Sequence, residues 1–260
     1  MKTIITSAIA LFFTILIAAA EINAGYKEST EDILKPSNQD SVPEISTGDI
    51  LNNNKELRDL LSDNKGDTSL KGKKIAVIST DGVEELEIMI PLIYLRNKGA
   101  SIDIIAPQAA DFPPNFGIKI PSIRKTHILT VNYMKNSGWL KIDKFTSNIS
   151  ASEYDAVIIP GGGWNPDSLR SDAKTTAFLA EMNKLKKPIA AICHGPLVLI
   201  NAGLIKNRKV TSFWSVQIDL KNAGAEVYDK EVVTDKNLIT SRYPFDLPAF
   251  LKALEHELIN

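Results

Sequence analysis

"AICHGPLVLINAG", residues 191–203, holds the only cysteine of a 260-residue chain and one of its three histidines, side by side. Before it, "KPIAAI" (187–192) is a short apolar run without polar alternation, the pattern of a strand buried on both faces. After it, Gly195 gives a tight turn room, and Pro196 suits a first helical position, where no N–H is needed, ahead of "LVLI". Cys193 is thus expected at a strand-to-helix elbow, which presents a side chain and points the helix's N–H groups and positive dipole end at it. A thiol so placed is expected below its ordinary pKa of about 8.5, since the thiolate is the reactive form.

The same device recurs along the chain. "KKIAVIST" (73–80) runs into Asp81-Gly82, and "YDAVIIPGGG" (154–163) ends in three glycines. With "SIDIIAP" (101–107) these are strands apolar on both faces, which only a parallel sheet covered by helices accommodates. Leu86, Met89, Ile90, Ile93 and Tyr94 are spaced for the helix after the first strand, which Pro91 should kink and Gly99 end. Leu169, Ala173, Ala177, Leu179 and Ala180 are available to bury a helix within 165–187. The chain closes on short strands and the amphipathic "DLPAFLKALEHEL" (246–258). The expected fold is a three-layer α/β sandwich with a flavodoxin-like, mostly parallel sheet over residues 73–260. The 108–152 segment fits the alternation badly and is expected to form loops and a hairpin near the sheet's active edge, with His127 as a structural histidine.

Composition narrows the function. The chain is 44% hydrophobic and 23% charged with a formal net charge of -1, the profile of a globular protein. Thirty Lys and Arg against 31 Asp and Glu leave no basic excess to hold nucleic acid, so small molecules or other proteins are the expected partners, and a small-molecule or peptide substrate if the chain is an enzyme. Lys2, the apolar run Ile4–Ala20 and the small residues up to Ala24 form a secretory signal pattern, with an uncleaved membrane anchor as the alternative. Residues 25–72 are polar and read as a disordered tether with a short helix at Lys55–Leu61. Export, to a periplasmic or secreted location, would put a lone cysteine where structural cysteines are normally paired, so Cys193 is either an inert buried thiol or one kept for its chemistry.

Ligands of open parallel sheets bind beyond the carboxyl ends of the strands, where Asp81–Glu87, Pro160–Gly163 and Cys193–Pro196 converge. The backbone N–H groups of His194 and of Gly162 or Gly163 are candidates for an oxyanion hole. His194 is a candidate base if it bends back toward the sulfur, and Asp167 a candidate carboxylate to orient it. Glu87, raised in pKa by burial and nearby negative charge, would stay protonated and donate a hydrogen bond to sulfur. Three histidines and one cysteine, scattered as they are, give no metal-ligand spacing, and no cofactor is expected.

Together "VISTDGVEELEIMIPL", "YDAVIIPGG", "AAICHGPLVLINAGL", "VTSF" and "NLITSRYPFDLPAF" resemble, in order and spacing, the ThiJ/PfpI superfamily of the class I glutamine amidotransferase-like fold. The resemblance covers about 73–260. It implies Cys193 as nucleophile, Glu87 bonded to it, Gly162 and His194 as oxyanion-hole amides, and assembly as a dimer or larger homo-oligomer. In PfpI-type members the histidine after the cysteine pairs with an acid from a neighbouring subunit; Asp167 matches that acid only with one residue inserted after Gly162, and as aspartate in place of glutamate. The function implied is a cysteine-dependent hydrolase (amidase or peptidase) or a deglycase or glyoxalase. The alternative is a redox sensor or stress chaperone working through oxidation of Cys193.

Overall fold

The computed structural model describes residues 54–62, 67–109, 121–133 and 135–260. The expected leader at 1–24 and most of the 25–72 stretch lie outside them. In chain order the elements are α1 (Lys55–Ser62), β1 (Lys74–Ile78), β2 (Val83–Glu84), α2 (Glu85–Asn97), β3 (Ser101–Ala106), β4 (His127–Asn132), β5 (Lys135–Lys141), β6 (Lys144–Phe145) and β7 (Ala156–Ile159). They continue with α3 (Trp164–Leu169), α4 (Ala173–Lys184), β8 (Ile189–Ile192), α5 (Pro196–Asn201), β9 (Lys209–Val210), α6 (Trp214–Asn222), β10 (Glu226–Val227), β11 (Val232–Asp235), β12 (Leu238–Ser241) and α7 (Leu247–Ile259). Among the described residues no helix is long and apolar enough to cross a membrane.

Seven strands form the main sheet in the order β11, β12, β8, β7, β1, β3, β6, with only β11 antiparallel to its neighbour. The central strands are apolar on both faces because both faces are covered. Ala76, Ile78, Val157, Ile159, Ile189 and Ala191 join a core with Leu169, Leu179, Met182, Leu199, Val216 and Leu220 from α3 to α6. The alternating residues Ile75, Val77, Ile158 and Ala190 are equally buried and face the other layer, where α1, α2 and α7 pack together. The chain leaves β1 outward to β3, whereas β7 and β8 return on β1's other side. The carboxyl ends of β1, β7 and β8 therefore open onto one crevice, the topological switch point.

The helices depart from expectation in instructive ways. Residues 165–187 form two helices, since Asp172 caps α4 by accepting the Thr175 N–H at 2.8 Å. That restart resets the helical phase: Thr175, Phe178, Leu179 and Met182 turn inward, and Ala173, Ala177 and Ala180, expected inside, are exposed. α2 is buried on nearly all sides from Glu85 to Leu92, so it shows no single apolar stripe. Pro91 lies inside it and withholds the N–H that the Glu87 carbonyl would otherwise accept.

Within 108–152 the expected hairpin is present as β4 and β5. β4 also pairs in parallel with β2, which docks the hairpin beside the loop that follows β1. Residues 110–120 and Met134 lie outside the described set. His127 opens β4 with Nδ1 2.8 Å from the Thr126 hydroxyl, a local hydrogen bond with no tie to the crevice.

The helix expected at Lys55–Leu61 is present as α1, and it is joined to the domain. Leu57, Leu60 and Leu70 are buried, and α1 packs on α2 and α7. Lys98, 6% exposed, holds Asp67 at 2.5 Å and Glu255 at 2.9 Å, tying the segment before β1 to the ends of α2 and α7. A buried lysine requires such carboxylates to offset its desolvation. The packed body thus begins before Lys73. Leu57→Ala is expected to cost about 2–3 kcal/mol of unfolding free energy, read as a lower urea midpoint at unchanged slope.

Candidate active site

Cys193 follows β8 directly and has φ 60, a left-handed conformation rare for a residue with a side chain. Surrounding hydrogen bonds hold it there. Its N–H donates to the Ser241 carbonyl at 3.1 Å, and its own carbonyl accepts from the Phe213 N–H at 3.1 Å and from the Ser212 hydroxyl. Gly195 lets the elbow close on the sheet, because a Cβ there would lie 2.4 Å from the Ile159 carbonyl oxygen and 2.8 Å from that of Ile192. The elbow expected from "ICHGP" is therefore observed, and it points the side chain inward: Cys193 is only 6% exposed.

The Gly-rich turn after β7 closes over the sulfur. A Cβ on Gly161 would stand 2.6 Å from both the Cys193 Cβ and Glu87 Oε2. Gly162 has φ +87, and a Cβ there would meet the Gly82 carbonyl oxygen at 2.1 Å. Only glycine allows three strand ends to approach this closely. The N–H groups of Gly162 and His194 are directed at the Cys193 sulfur, whereas Gly163 is exposed with open space around it. Of the two glycines expected as oxyanion-hole donors, Gly162 is the one the fold places at the sulfur.

Glu87, in the first turn of α2, is wholly buried and accepts the Gly161 N–H on Oε2 at 2.7 Å. Its Oε1 has no hydrogen-bond partner, and the Cys193 side chain lies close enough to the carboxyl to act on it. Burial pushes the carboxyl up to about 8, so it is protonated at neutral pH and can donate toward sulfur. Burial also holds the Cys193 thiol above its ordinary value, against the pull of the two N–H groups. The expected lowering by the helix end is outweighed, because desolvating a thiolate costs more than the amides of one short helix return. The resting pair is a neutral thiol beside a neutral acid.

His194 does bend back, with Nδ1 3.2 Å from the sulfur. Its ring stacks on Phe213, with centroids 4.8 Å apart and planes 26° apart, and Nε2 lies 3.4 Å from the Ser215 hydroxyl. Burial lowers its pKa, so the imidazole is neutral near pH 7 and competent to take a proton. Asp167 is exposed on α3 and, among the described residues, makes no hydrogen bond to His194; within one chain the fold does not bring these two together.

Two further residues of the site went unnoticed in the sequence. Asn165, fully buried, accepts from the Ser79 hydroxyl at 3.2 Å and the Thr80 N–H at 2.7 Å, and donates to the carbonyls of Pro160 and Gly161 at 2.9 and 3.0 Å. It clamps the loop after β1 to the loop after β7. Its only signal was a polar side chain beside a Gly-rich turn, which most such turns carry on their surface. Phe213 is the other; it starts a run of rings from His194 through Trp214 and Tyr243 to Phe245, with successive centroids 4.8 to 5.9 Å apart.

A buried thiol at a strand–helix elbow, on the switch point of a mostly parallel sheet in a three-layer fold, defines an α/β sandwich protein with a cysteine elbow. The chain belongs to the DJ-1/PfpI family, whose model matches residues 73–257. It is 41% identical over 179 residues to protein/nucleic acid deglycase 2 of Escherichia coli, covering 68% of this chain and 93% of that one. A deglycase of Thermococcus kodakarensis is 36% identical over 179 residues, covering 69% and 95%. Among solved structures, Drosophila melanogaster DJ-1beta matches with a TM-score of 0.60 and 25% identity over 72% of this chain and 91% of that one. The relatives support a DJ-1/PfpI-type enzyme and the flavodoxin-like fold.

Proposed function

We propose that this protein is a Cys193-dependent deglycase that releases small carbonyl adducts, of the methylglyoxal type, from amino or thiol groups. The single observation that carries the reading is the convergence on one sulfur of Glu87, His194 Nδ1 and the N–H groups of Gly162 and His194. The names of the relatives supply the reaction class, deglycation. As the sulfur attacks the electrophilic carbon, its proton passes to His194 Nδ1, and the N–H groups of Gly162 and His194 receive the oxygen that gains charge. His194 then returns the proton to the departing amine or thiol, and water adds to the carbon left on sulfur, breaking the C–S bond, releasing the carbonyl fragment and giving a proton back to the Cys193 sulfur through His194. Glu87, neutral, donates to the sulfur and offsets the cost of a buried thiolate. The exposed rings of Trp214 and Phe245 give an adduct an apolar wall on the His194 side. The apolar run Ile4–Ala20 supports placing this chemistry in an exported protein.

The test is a panel of methylglyoxal-treated N-acetylated cysteine, arginine and lysine, with fluorogenic peptides as comparison, assayed for release of the unmodified amino acid. Turnover of the adducts by wild type and not by Cys193→Ser is expected. No turnover by wild type, or turnover of peptides alone, would sink the reading.

A further inference from the structure

His194 is the one group of the site whose orientation the Cys193 elbow does not explain. Neighbouring side chains at an elbow diverge, yet Nδ1 sits 3.2 Å from the sulfur. Two contacts turn it back: the face-to-face stack on Phe213, and the Ser215 hydroxyl 3.4 Å from Nε2. Phe213 fixes the plane of the ring, but a stack does not decide which nitrogen carries the proton. Among the described residues Ser215 is the only side chain hydrogen-bonded to Nε2, and Ser215 has no other side-chain hydrogen bond. Its position follows from the fold, since Phe213 donates its N–H to the Cys193 carbonyl and α6 starts at the next residue.

We propose that Ser215 is the positioning residue for His194, accepting a hydrogen bond from Nε2–H and thereby leaving Nδ1 as the unprotonated nitrogen that faces the thiol. Once the thiol proton has moved to Nδ1, both ring N–H groups have partners, the sulfur on one side and Ser215 Oγ on the other. The titratable groups around the imidazole are Cys193 and, behind the sulfur, Glu87, with Tyr243 beyond two intervening rings of the aromatic run. A neutral hydroxyl fixes the tautomer and raises the basicity of the ring far less than a carboxylate would. His194 therefore stays neutral near pH 7, in keeping with the downward effect of its burial.

The inference rests on the proposed role of His194 as base, and its test needs no substrate. The rate of Cys193 alkylation by iodoacetamide is measured from pH 5.5 to 9 in wild type, Ser215→Ala and Ser215→Thr, alongside melting temperatures. Loss of one hydrogen bond to a ring that becomes charged is expected to slow alkylation of Ser215→Ala about tenfold at pH 7, with its pH profile displaced toward higher pH. Ser215→Thr, which keeps the hydroxyl, is expected to alkylate within about twofold of wild type. Ser215→Ala with the rate and profile of wild type overturns the proposal, and so does Ser215→Thr as slow as Ser215→Ala while both melt like wild type. If wild type turns over no adduct but Ser215→Ala still slows alkylation, the deglycase reading fails and the role of Ser215 stands.

Discussion

Cys193→Ser is expected to lose at least about ten-thousandfold in turnover of carbonyl adducts while remaining folded, with its urea midpoint near that of wild type. Serine occupies nearly the same volume at a site 6% exposed, and the elbow's backbone hydrogen bonds do not involve the side chain. What changes is acidity. A hydroxyl gives up its proton far less readily than a thiol, and a His194 held neutral by burial is too weak a base to compensate. The measurement is adduct turnover by both proteins, with unfolding curves as control. A serine variant retaining wild-type activity would place the chemistry elsewhere.

Glu87→Gln is expected to make the protein more stable at neutral and alkaline pH. A carboxyl raised from 4.5 to about 8 must keep its proton in the folded state while the unfolded chain would release it. Its contribution is therefore fully present below about pH 4.5 and is lost as pH rises through about 8. At pH 7 the difference is on the order of 3 kcal/mol, and glutamine, permanently neutral, avoids it. Glutamine still accepts the Gly161 N–H and still presents a donor to the sulfur, so alkylation of Cys193 at pH 7 is expected to stay within about tenfold of wild type. Urea midpoints of both proteins from pH 5 to 9 check this: wild type should fall with rising pH and Glu87→Gln should stay flat. Parallel curves for the two would show Glu87 ionised throughout. The same shifts define the activity profile of wild type, with a rising limb as His194 loses its proton and a falling limb through about pH 8 as Glu87 ionises.

Much of this was readable before any coordinates. The doubly apolar strands 74–78, 156–159 and 189–192 announced a covered parallel sheet, because only that environment leaves no polar face. The elbow at Cys193 followed from a strand, a glycine and a proline in fixed order. The hairpin in 127–141 followed from a segment too long for a simple connection. Less readable was anything that depends on phase or depth. One capping aspartate, Asp172, divided a helix and reversed which alanines face solvent. The polar run before Lys73 hid three leucines whose partners lie far along the chain.

By itself the sequence determined the order of strands and helices, the residue at the elbow and the acid after the first strand, since these rest on local rules of hydrophobic period, turn chemistry and capping. The tertiary structure alone decided how those pieces act on one another. Burial shifts Glu87, Cys193 and His194 through the summed exclusion of water by residues far apart in sequence, so it turned an expected thiolate into a neutral thiol beside a neutral acid. Close approach of three loops selected Gly162 over Gly163 and made Asn165 their clamp. The surroundings of His194 arose in the same way: Asp167, eight residues past the end of β7, is exposed, while the helix anchored through Phe213 to the elbow's own carbonyl brings the Ser215 hydroxyl 3.4 Å from the ring.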